Sequence, residues 1–225
     1  MYKAFIYKEW IKIRFFLIAA FVACGFMAAY SALSVNRIVS LKGATHMIAV
    51  LLSGDTILIQ TFRYVPVIAA ILLALFQYIP EIVNSRLKLT LHLPVPMLYS
   101  TASMMTFGLA MLLCIYIVCA GVIYTSLRLN FTHEIVSHIM LTSAPWYIAG
   151  LAAYALTSWV VLEPTWRKRI VNILMSAALL RILFLSDAPR AYDRFLPALI
   201  MFTILFYSLP LLSVSRYKNR KMHKS

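Results

Sequence analysis

Acidic residues are scarce in this chain: 7 Asp and Glu among 225 residues, against 21 Lys and Arg. Charged residues of both signs reach only 12%, while 63% of the residues are hydrophobic. Soluble domains carry about 25% charged and about half apolar residues, so a water-soluble globule is excluded. Glycine is sparse as well, at 6, and there is no Gly-x-Ser-x-Gly elbow and no Walker-type phosphate loop. The turns that present a hydrolase nucleophile or cradle a nucleotide are therefore missing. The 3 cysteines, Cys24, Cys114 and Cys119, lie in apolar runs, and the last two diverge on a helix, so no disulfide framework is indicated. The 11 methionines are spread over the whole chain, which suits apolar packing rather than convergent soft-metal ligation.

The few acids, Glu9, Asp55, Glu81, Glu134, Glu163, Asp187 and Asp193, fall at or near expected loop ends. A proton-driven carrier usually buries a carboxylate inside a helix, so this placement argues against a secondary transporter. His133 and His138 flank Glu134 in an outline of a zinc-protease motif, but five residues apart on a helix turns the second imidazole away by about 140°. We read this segment as a polar outer loop.

Long apolar runs are what the chain does have. A membrane helix takes about 20 residues, and the length accommodates six. The expected fold is an all-α integral membrane protein: spans at 15–36, 56–80, 98–127, 143–162, 170–185 and 195–214, with a basic tail at 215–225. The segment between the first two spans reads as an outer loop with a short interfacial helix at 47–52. No soluble segment exceeds a few turns, so any energy source is brought by a partner. In residues 2–13, Tyr2, Ile6, Tyr7, Trp10, Ile11 and Ile13 share one broad face, with Lys8, Glu9 and Lys12 opposite. This predicts an amphipathic helix lying in the headgroup zone. The apolar run that follows is too long for a signal peptide, and Phe21-Val22-Ala23-Cys24 has Phe where a lipoprotein cleavage site favours Leu, so the expectation is an uncleaved span.

The basic residues alternate by loop. Fourteen of the 21 would share one side: Lys3, Lys8, Lys12 and Arg14; Arg86 and Lys88; Arg167, Lys168 and Arg169; Arg216, Lys218, Arg220, Lys221 and Lys224. Five (Arg37, Lys42, Arg128, Arg190 and Arg194) fall on the other. The positive-inside rule then puts both termini in the cytoplasm. Basic residues spread over alternate loops make no nucleic-acid surface, whereas they suit membrane lipid. Arg63 and Arg181 remain inside apolar runs. Intramembrane charges mark function by default, here a cargo path, with an outer-leaflet anchor as the plainer reading.

The most unusual stretch is 80–96, which opens on Pro80-Glu81 and closes on Leu93-Pro94-Val95-Pro96. It is part basic and part apolar, suited either to docking a protein or to lying at the interface. The acid Glu81 followed by Arg86, Lys88, Thr90, Leu91, Leu93, Pro94 and Val95 resembles the signature of ABC-2 type permeases. The resemblance implies the membrane subunit of an exporter in a bacterial cytoplasmic membrane: a permease homodimer with two copies of a separate ABC ATPase. This chain would then carry no cofactor, with ATP and Mg on the ATPase. Residues 81–96 would form the coupling loop, with Glu81, Arg86, Lys88, Thr90, Leu91, Leu93 and Pro94 as coupling residues. Ala20, Cys24 and Ala28 offer small residues at four-residue spacing where two permeases could meet, and the same spacing would serve packing within one chain. The alternatives are a non-transport membrane scaffold or assembly subunit and an intramembrane enzyme, the last without any convergent nucleophile, acid pair or ligand set.

Overall fold

The computed structural model describes residues 2–42, 59–83, 97–129, 131–186 and 191–222. All regular elements among them are helical: α1 (Tyr2–Lys42), a 3-10 turn (Gln60–Phe62), α2 (Val65–Val83), α3 (Met97–Arg128), α4 (His133–Leu162), α5 (Trp166–Leu183), a second 3-10 turn (Asp193–Phe195), α6 (Leu196–Phe206) and α7 (Leu209–Met222). Five stretches are long and apolar enough to cross a membrane: Ile6–Val35, Gln60–Val83, Tyr99–Arg128, His133–Leu162 and Asp193–Arg216. This is the makeup of a multi-pass membrane protein.

Helix α5 falls short of that standard because Arg167, Lys168 and Arg169 occupy its first turn and Arg181 its last. It nevertheless runs the length of the bundle. At its start Arg169 donates to the carbonyl of Glu163 at the end of α4 (2.8 Å), and just past its end the carbonyl of Phe184 accepts from Arg63, which precedes α2. Because α2 and α4 run parallel, with Phe62 against Tyr147 and Tyr78 against Tyr154, those two contacts lie at opposite ends of the bundle.

The core is built on α4. Ala149, Ala152, Ala153 and Ala155 are buried along it, and such small residues let neighbouring helices approach closely. In its most apolar stretch 61% of residues are buried inside the chain, against 11% in the stretch that includes α6. A helix so little covered by its own chain presents its apolar side chains to whatever solvates the bundle, which for Ile200, Phe202, Ile204 and Leu205 suits lipid.

Several boundaries differ from expectation. Residues 2–13 are not a separate helix lying flat: α1 is continuous from Tyr2 to Lys42. The reason is a single buried stripe, Glu9, Ile13, Leu17, Cys24, Ala28, Ala32 and Val35, whose roughly four-residue spacing passes Arg14 without a bend. The arc expected to face water is turned inward, and Tyr7, Trp10 and Ile11 point outward. Cys24 and Ala28 belong to this same stripe and pack within the chain, so they are not free to meet a second permease. The expected loop before the fourth span is the first turns of α4, which starts at His133 and carries Pro145 in its interior. The last span is broken at Tyr207–Ser208, because Pro210 cannot donate to a carbonyl one turn back and is tolerated only where a new helix starts. Finally, α2 passes through Pro80 and ends at Val83, so Glu81 is a helical residue. The expected interfacial helix at 47–52 lies outside the described residues.

Candidate functional site

Three of the five acids among the described residues are buried, which reverses the argument drawn from their position in the sequence. Glu9 is 1% exposed, Glu81 0% and Glu163 1%. Charges removed from water must be matched, and at Glu9 and Glu81 they are matched within one cluster. Lys12 Nζ donates to Glu9 Oε1 (2.7 Å) and to Glu81 Oε1 (3.0 Å), and Lys8 Nζ stands 3.1 Å from the same Glu81 oxygen. Two lysines against two glutamates leave the cluster neutral, with Glu81 Oε2 unbonded among the described residues.

From this end of the bundle a hydrogen-bonded chain runs inward. Gln77, buried one turn before Glu81 on α2, donates through Nε2 to Glu9 Oε2 (3.1 Å) and to the backbone carbonyl of Met104 on α3 (2.8 Å). Its Oε1 accepts from the Tyr154 hydroxyl on α4 (2.8 Å). The reversed amide would set its oxygen against a carboxylate and a carbonyl, so these acceptors fix its orientation. Since the Tyr154 proton is used on Gln77, Tyr78 donates to Tyr154 across 3.1 Å. Four helices are thus joined through one amide. Gly108 on α3 makes room: a Cβ there would collide with the Tyr154 hydroxyl and stand 2.6 Å from Gln77 Oε1.

A third buried glutamate sits at the same end. Glu163, which caps α4, accepts from Thr165 (2.9 Å) and Ser213 (2.8 Å), with half-exposed Arg216 at 3.4 Å. At the opposite end Arg63 is 6% exposed, donates to the Phe184 carbonyl (3.1 Å), and lies over the rings of Tyr64 and Phe184 at 5.3 and 5.5 Å. It lines a cavity of about 10 Å³ with Thr142, Trp146 and Asp193, room for one water at most.

The expected site residues therefore separate. Glu81 is an internal tie, buried against Lys8 and Lys12. Arg63 anchors α5 to α2, while Arg181 is exposed on α5. Arg86, Lys88, Thr90, Leu91, Leu93 and Pro94 lie outside the described residues. Lys12, Glu9, Gln77, Tyr154 and Gly108 were not singled out from sequence. Gln77 had a signal: it is the one amide in the uncharged run from Tyr64 to Pro80, and a lone polar group inside a span needs a partner on another helix.

The arrangement couples the start of α1, the end of α2, the start of α3 and the middle of α4. No family model, no curated protein and no solved structure matches this chain.

Proposed function

We propose that this chain is the permease subunit of an ABC-2 type exporter, crossing the cytoplasmic membrane of a bacterium six times with both termini inside. It works as a homodimer with two copies of a separate ATPase, on which ATP and Mg are bound. The cargo is an amphipathic molecule moved by alternating access, each permease rocking as a body when the ATPase pair closes.

The observation that carries this reading is the buried tie at Glu81. The 84–96 segment, which holds the permease-like motif, begins three residues beyond Glu81. A pull on that segment reaches α1 through Lys8 and Lys12, and reaches α3 and α4 through Gln77. An ATPase docked on Arg86 and Leu91 would thereby move four helices together. The run of α5 from one end of the bundle to the other supports the sixth crossing.

The test is purification of the tagged full chain from membranes in mild detergent. An ATP-hydrolysing protein is expected in equal amount, lost in Leu91→Asp and Arg86→Asp while the chain stays folded. A folded chain with no ATPase would move the reading to a membrane scaffold. Transport that follows a proton gradient without ATP would make the chain a secondary carrier, for which buried Glu81 is the candidate carboxylate.

A further inference from the structure

Helices α1 and α3 leave between them an open apolar groove of about 230 Å³. Leu17, Ile18, Phe21 and Val22 form one wall, Met111 and Cys114 are on the other, and Trp10 stands at one end. From Trp10 to Val22 the helix rises about 18 Å, close to the roughly 15 Å depth of one leaflet. The Trp10 end lies at the level of the Lys8, Glu9 and Lys12 charges, where an indole suits the headgroup region.

Arg14 sits four residues from both Trp10 and Ile18, and so on the same face of α1 as the groove. Its side chain is exposed, its guanidinium rests over the Phe15 ring at 4.7 Å, and no carboxylate pairs with it among the described residues. Lys8 and Lys12, six and two residues before it, are taken up by Glu81 and Glu9. The groove thus has an apolar channel one leaflet deep and, beside its headgroup end, a cation that no carboxylate among the described residues compensates. We propose that it binds an anionic phospholipid, with an acyl chain along the groove and the phosphate on Arg14. This inference requires only that the chain is embedded in a bilayer and is independent of the exporter reading.

The probe is phosphatidylglycerol or phosphatidylcholine with brominated acyl chains, titrated into vesicles holding the full chain while Trp10 emission is read as wild type minus Trp10→Phe. Brominated phosphatidylglycerol is expected to half-quench Trp10 at a mole fraction about fivefold below that of brominated phosphatidylcholine. Arg14→Gln should bring the two together, and Arg14→Lys should keep most of the difference. Equal half-quenching of the wild type by both lipids overturns the proposal, whether or not Arg14→Gln folds. So does oxidative crosslinking of two chains through Cys114, which would give the groove to a second copy.

Discussion

Glu81 and Glu163 are both buried glutamates at the same end of the bundle, yet their surroundings differ in kind. Glu81 meets two lysines from another helix and stands one turn from an amide that reaches two more helices. The Glu163 carboxylate is held mainly by hydroxyls, one of them two residues away, and the cation that meets it among the described residues, Arg216, is half in solvent. Burial alone therefore does not mark a coupling residue. What distinguishes Glu81 is that its loss leaves charges stranded on a different helix, whereas the loss of Glu163 leaves hydroxyls.

That difference can be broken by substitution, the largest effect first. Glu81→Ala leaves Lys8 and Lys12 with Glu9 alone, one positive charge in excess in a buried cluster, and should cost about 3–5 kcal/mol in a denaturant titration of the detergent-solubilised chain. Glu163→Ala should cost less, about 1–3 kcal/mol, because it removes acceptors from Ser213 and Thr165. Gly108→Ala drives a methyl against the Tyr154–Gln77 bond and should cost about 1–3 kcal/mol, with Tyr154→Phe in the same chain recovering part of it. Arg216→Ala should be the mildest, within about 1 kcal/mol, since half of its side chain is in solvent and Glu163 keeps the Thr165 and Ser213 hydroxyls. A reversed order between Glu81→Ala and Glu163→Ala would remove the distinction drawn here.

The all-helical membrane architecture was legible in the sequence because run length and apolarity are local properties. The third span is the clearest case: 98–127 was expected and α3 is Met97–Arg128. The N-terminal helix was misread for a physical reason. Its polar arc was assigned to water, but inside a membrane bundle the charged arc can face protein while Tyr7, Trp10 and Ile11 face outward. The inward turn depends on partners 68 and 69 residues away, Gln77 for Glu9 and Glu81 for Lys12, and no local period records them. Glu81 was singled out through the motif it opens, and its buried role emerged only from the packing of α1 on α2. The break before α7 was written in Pro210 but hidden by the apolar run around it.

The central claim is that the start of α1 and the end of α2 are one mechanical unit through Lys12 and Glu81. A double-mutant cycle with Lys12→Ala and Glu81→Ala, read by denaturant unfolding, tests it most directly. A coupling energy above about 1 kcal/mol is the predicted result, and single effects that add to within about 0.5 kcal/mol would contradict it.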